Sequence, residues 1–240
     1  MFRRFSVWRL VGGLIKLLFY GLIAFMVCFL LFRVIAHNTD PGEIKTLTCD
    51  SDLVEAYREY GKDLTLYTQS QLPYTNAERN SGYFYVRRHV IIPQAHEIQV
   101  VFRYSDTTLK KLTQDYGVSP EALPDPDGQV YDVSLVIKRD LTPEDKTDSN
   151  EKGTYELIRV APGSETALSR GRYHYRRYVF NQVDIDEDTL AVFLDVYYAG
   201  DVDYDDPAYG TLCLWDAGSP DNPRQLTAAD RRALKKALGE

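Results

Sequence analysis

Three groups of side chains in this sequence have types and spacings that could do chemistry. The first is a late cysteine. Thr211, Leu212 and Cys213 precede Arg224, and His96 and His174 lie earlier in the chain. A thiol becomes a nucleophile only where a cationic neighbour stabilises its thiolate, and Arg224 with an imidazole would supply that; Asp216 and Asp221 would oppose it. The second group is acidic: Asp201, Asp203, Asp205 and Asp206 fall within one short stretch, after Asp184, Asp186 and Asp188. Clustered carboxylates suit calcium, which takes oxygen ligands. The spacing is not that of an EF-hand, because Asp206 stands where the loop needs Gly and Leu212 where it needs a bidentate Glu. Solvated turns of an acidic domain are the simpler expectation, so neither metal nor cofactor is expected.

The third group is recognition chemistry. The chain has 18 tyrosines, and their densest cluster is Tyr173, His174, Tyr175, Arg176, Arg177 and Tyr178. Amphipathic aromatics interleaved with Arg are what binding surfaces use for sugars, peptides and proteins. On a strand, alternate side chains share a face. The apolar Val179 extends the set of Tyr173 and Tyr175, so that set is expected inside and His174, Arg176 and Tyr178 are expected to face solvent as partner-binding residues. His89 and His96 flank Pro93, but two imidazoles with no third convergent ligand are weak grounds for zinc.

What holds these groups begins with Val11 to Phe32, one apolar run interrupted only by Lys16. At about 1.5 Å per residue such a run crosses the roughly 30 Å hydrocarbon layer with its backbone hydrogen bonds satisfied. Arg3, Arg4, Arg9 and Lys16 precede its core with no acidic residue among them, whereas the far side begins Arg33, His37, Asp40 and Glu43. The basic flank predicts a cytoplasmic amino end and a carboxy-terminal domain outside. A signal peptide starts in the same way, but this apolar core is longer than the usual signal and Arg33 sits where a cleavage site should be uncharged. An uncleaved anchor is therefore expected. Cys28 is a poor lipidation site, since Phe25, Met26 and Val27 precede it.

Five of the 28 basic residues and none of the 35 acidic ones lie before His37, which leaves residues 37–240 with a formal charge of −12. That sign argues against nucleic acid as a partner. Two cysteines remain beyond the apolar run, Cys49 and Cys213, and an oxidising exterior would allow one disulfide between them; two buried thiols are the alternative.

Past the anchor the patterning is mostly that of strands. Residues 33–50 read as a linker. A short helix is expected from Asp52 to a Gly61 stop, another after Asp106, and a third after a capping box of Thr227 and Asp230, ending at Gly239. About eight segments alternate with period two, including a hairpin through Pro93, and Pro73 to Gly82, Pro124 to Gly128 and the polar Asp140 to Gly153 read as loops, the last of them mobile. The predicted organisation is a cytoplasmic tail (1–10), a single transmembrane helix (11–32), the linker (33–50) and a mainly β extracytoplasmic domain (51–240). That domain is expected to be an antiparallel sandwich or open barrel with a few short peripheral helices. No GxGxxG or GxxxxGK[ST] is present, which removes the nucleotide-binding folds.

An amino-terminal anchor, a β-rich exported domain, His and a late Cys followed by Arg together resemble the sortases, cysteine transpeptidases that attach proteins to cell walls. The resemblance implies Cys213 as nucleophile with Arg224 and His96 or His174 beside it. The family's TLxTC strand is not reproduced, since Thr211-Leu212-Cys213 lacks the spacer and second Thr, and the nearer match Thr46-Leu47-Thr48-Cys49 precedes the fold. The alternation Thr211, Cys213, Trp215 reads more simply as a core cysteine. The expected function is therefore non-catalytic: a membrane-anchored domain that binds an envelope protein or a glycan, with a cysteine transpeptidase or hydrolase as the rival.

Overall fold

The structure is a computed structural model that describes residues 7–38, 41–69, 72–74, 84–116, 130–140, 155–198 and 210–240. It divides into two compact units, Met1–Lys45 and Thr46–Glu240.

The first unit is dominated by α1 (Val7–Asn38), within which Gly12–Ile35 has a mean hydropathy of 2.5 and buries none of its apolar surface. Leu14, Phe19, Phe25 and Phe32 are all exposed. A helix this long and apolar is able to cross a membrane. It is longer at both ends than the apolar run alone, because Trp8, Arg9 and residues 33–38 continue it. A one-turn helix, α2 (Gly42–Lys45), follows within the segment expected to be a linker.

The second unit is mainly β, in two antiparallel sheets. In chain order its elements are α3 (Ser51–Tyr60), β1 (Leu66–Thr68), β2 (Leu72–Tyr74), β3 (Tyr85–Ile92), β4 (Glu97–Ser105), α4 (Asp106–Tyr116), β5 (Tyr131–Asp140), β6 (Tyr155–Val160), β7 (Ser164–Arg170), β8 (Tyr173–Phe180), β9 (Thr189–Tyr198), β10 (Gly210–Asp216), β11 (Asn222–Arg224) and α5 (Ala228–Leu238). Sheet A has six strands in the order β11-β1-β3-β4-β8-β7, and sheet B five in the order β2-β10-β9-β5-β6. The alternation predicted the long strands and the hairpin of β3 and β4, which turns through a 3₁₀ turn at Pro93–Ala95. It missed β2, β7 and β11. Each is an edge strand, and two contain Pro, which a sheet edge tolerates because no ladder donor is needed there.

The inner faces of the two sheets make one core. Ile98, Val100 and Phe102 of β4 and Tyr178 and Phe180 of β8 meet Val133 and Leu135 of β5 and Val192 and Leu194 of β9. At about 1.5–3 kcal/mol for each large apolar side chain buried, this layer dominates the stabilisation of the sandwich. A second core covers the opposite face of sheet A. There Leu53 and Ala56 of α3 and Leu234 of α5 lie on Val90 and Ile92. Asp50 caps α3, its carboxylate accepting from Leu53 N at 3.0 Å, so the cap lies two residues before the Asp52 expected from sequence. The capping box of Thr227 and Asp230 opens α5, and Gly239 closes it at φ 81° in the left-handed region.

Segment 46–50 is part of this unit, held across the outer face of sheet A by polar side chains. Asp230 accepts from Leu47 N at 2.8 Å. Gln99 mimics a strand, accepting from Thr48 N at 2.9 Å and donating to Thr48 O at 2.8 Å. Arg177 donates to the Thr48 hydroxyl at 2.8 Å. Beneath them Glu97 is 1% exposed, with Oε1 accepting from Gln99 and no donor to Oε2. Burial and then the neighbouring Asp50 carboxylate push its pKa up to about 9, which favours the neutral acid at pH 7.

Candidate functional site

β8 overturns the expected register. His174, Arg176 and Tyr178 do not face solvent: they are 6%, 6% and 2% exposed. Their face of the strand is the inner one, where Tyr178 packs on Phe102 and Phe180. Arg176 donates to the Tyr104 hydroxyl at 3.2 Å and to Glu165 at 3.1 Å, and His174 lies between Ser169 and Asp106, both at 2.8 Å. Tyr175 and Arg177, on the outer face, are buried as well. From His174 to Phe180 both faces of the strand are buried, and parity could not reveal that. Having no exposed surface to offer a partner, these three residues are not retained as a binding site.

The cysteine constellation is not assembled either. Cys213 is 5% exposed, its thiol donates to Trp215 O, and burial followed by Asp216 raises its pKa. Cys49 is raised in the same direction by burial, Asp230, Glu97 and Asp50. Both settings are the reverse of what a thiolate nucleophile requires. The two thiols are free, so the expected alternative of a Cys49–Cys213 disulfide is not formed. His96 is exposed and paired to Asp184. His89 is buried against Thr68 and Gln69, and burial with Arg224 nearby lowers its pKa to about 4, keeping it neutral. The acidic stretch 201–206 and the polar stretch 141–153, expected from sequence to be loops, lie outside the described residues. Among the described residues no group of three or more His, Cys, Asp or Glu is arranged to hold a metal ion.

The surface that does present binding chemistry is the outer face of sheet B. The register places Val136 of β5 opposite Phe193 of β9 and Arg159 of β6, and Lys138 opposite Leu157. Val136, Phe193, Lys138 and Leu157, with Tyr155, Asp195 and Thr211, line a groove of about 190 Å³. Leu157 is 61% exposed and Tyr155 44%. Lys138 Nζ sits 4.0 Å above the centre of the Tyr155 ring, a cation–π contact that holds the ring in place. At the groove's polar end Thr211 donates to Asp195 at 2.7 Å, and Arg159 donates to Ser134 at 2.6 Å and lies over the Tyr197 ring at 5.6 Å. The arrangement offers an apolar floor, an aromatic wall and fixed donors and acceptors along one side.

None of these residues stood out in the sequence. Leu157 alternates with Ile158, so both parities of β6 are apolar and neither identifies itself as the outer one. A larger cavity, about 450 Å³, lies between α3 and the turn after Pro93, with Asp52, Glu55, Glu59 and Asp184 at its walls. Its chemistry is that of a cluster of solvated carboxylates.

Compared with known proteins, the chain matches no family model, no curated protein and no solved structure. Its function is therefore read from its own geometry.

Proposed function

We propose that this chain is a single-pass membrane protein with a cytoplasmic amino end and its β domain outside, and that the domain is a non-catalytic module that binds an envelope protein or a glycan in the sheet B groove. The observation that carries the binding reading is the exposure of Leu157 and Tyr155 beside a preformed apolar floor of Val136 and Phe193. Large side chains left in water on a rigid sheet, rimmed by polar groups, mark interaction sites. Orientation rests on the basic flank of α1, from Arg3 to Lys16, and anchoring on the length of its apolar segment. The transpeptidase rival loses its nucleophile in the buried Cys213.

A photo-crosslinking amino acid at Leu157 tests the site in intact membranes. A discrete adduct is expected from position 157, diminished by Tyr155→Ala and absent from the same probe at Lys62, on the far side of sheet A. Adducts from position 62 with none from 157 would overturn the assignment.

A further inference from the structure

Four strands end the two sheets among the described residues, and they differ in what they offer a further strand. β2 and β11 are three residues long and centre on Pro73 and Pro223, which have no backbone donor. β7 is polar, with Leu168 as its one large apolar side chain. The fourth is β6 (Tyr155–Val160), the outermost described strand of sheet B. Its ladder with β5 runs through all six residues without a bulge, and it contains no proline. Proline and bulges are two of the devices that keep a sheet edge from pairing, and β6 has neither. Tyr155, Leu157, Ile158 and Val160 are strong strand formers. Tyr155, Glu156, Leu157 and Arg159 are all exposed, Leu157 at 61%. Tyr155, Leu157 and Arg159 share the outer face, and Ile158 and Val160 pack inward on the core.

We propose that β6 pairs with β6 of a second copy of this chain, antiparallel about a two-fold axis that passes through Leu157. The inference goes beyond the groove reading and needs only the geometry of β6. A two-fold axis normal to a sheet sets the two edge strands antiparallel and keeps outer face beside outer face, so a residue can oppose only one of its own parity. Centred on Glu156 or on Arg159, the pairing would set two carboxylates or two guanidinium groups face to face, which is destabilising. Centred on Ile158, it would set Leu157 against Arg159 on both sides of the axis. Centred on Leu157, it sets Leu157 against Leu157 and, twice over, Tyr155 against Arg159, with Glu156 opposite the uncharged Ile158. Both members of the outer pair already make this kind of contact within one chain: Lys138 lies 4.0 Å over the Tyr155 ring, and Arg159 lies 5.6 Å over the Tyr197 ring. The strand is therefore self-complementary in one register, which selects a copy of the same chain as its occupant. Paired in this way, the two sheets B become one sheet, and their grooves lie side by side on its outer face.

The test uses the full chain in detergent micelles, with Cys28→Ser and Cys49→Ser removing the two thiols that are not buried. Into this background go Leu157→Cys, Arg159→Cys or Lys62→Cys, one at a time. Residues directly opposite in an antiparallel pair have Cα atoms about 4.5–5.5 Å apart, within the span of a disulfide. Oxidation with copper phenanthroline is expected to carry Leu157→Cys to a band of twice the chain mass on a non-reducing gel. Arg159→Cys, whose two copies lie about 13 Å apart along the strands, should stay at the mass of one chain, as should Lys62→Cys. Equal bands from all three positions, or a stronger band from Arg159→Cys than from Leu157→Cys, overturn the pairing. A second measurement needs no cysteine. In sedimentation equilibrium with density-matched detergent the unsubstituted chain is expected at two copies per particle, and Leu157→Lys, which sets two cations face to face on the axis, at one. One copy for the unsubstituted chain overturns the proposal, and so does a pair that Leu157→Lys leaves intact.

Discussion

Sheet A wears α3, α5 and segment 46–50 on its outer face, whereas the groove on sheet B is lined by strand residues alone. The difference reverses a plain hydropathy reading. On sheet A the charged and polar residues are the structural ones: Glu97, Gln99 and Arg177 hold the incoming chain, and Arg176 and His174 are satisfied inside the sandwich. On sheet B the apolar Leu157 and the aromatic Tyr155 are the exposed ones. Burial in this protein follows which layer covers a strand, and central strands of sheet A are covered twice.

The most severe way to break that comparison is Tyr178→Ala. The side chain is 2% exposed in the inter-sheet core, and truncating an aromatic there is expected to cost about 3–5 kcal/mol in chemical denaturation. A loss within about 0.5 kcal/mol would mean that this face of β8 is open to solvent after all.

The polar clamp is tested through pH. Glu97 titrates at about 9 in the folded protein against an ordinary value of 4.5, so between those limits the folded state holds a proton that the unfolded state has released. Stability from this group is complete below about pH 4.5 and falls as pH rises toward 9. Glu97→Gln keeps a neutral hydrogen-bonding group of the same shape at this position. It should flatten that decline and gain about 1–3 kcal/mol at pH 7 to 8. Parallel stability profiles for the two proteins would show Glu97 ionised in the fold.

Leu157→Ser sharpens the other side. An exposed residue on an edge strand is expected to change stability by less than about 0.5 kcal/mol, while lowering partner crosslinking from a probe at Lys138. A large drop in melting temperature would identify Leu157 as core and remove the groove.

Legibility followed locality. The apolar helix, the Thr227 and Asp230 capping box and the Pro93 hairpin are each written in neighbouring residues, and each is present. Segment 46–50 looked like linker because its partners Gln99, Arg177 and Asp230 lie 51, 129 and 183 residues away. The polar β7, Ser164–Arg170, has almost no buried residue, so no alternation marked it. The parity of β8 failed for a different reason. Tyr, His and Arg are amphipathic, and on a strand with both faces buried they fit either side without declaring which.

The most direct test of the central claim is protease added outside sealed cells. With α1 spanning the membrane and the domain outside, digestion is expected to remove nearly all of residues 46–240 and to leave a small membrane-bound fragment containing α1. Full protection of the domain in sealed cells, with digestion only after the cytoplasmic face is opened, would contradict both the orientation and the exported binding role.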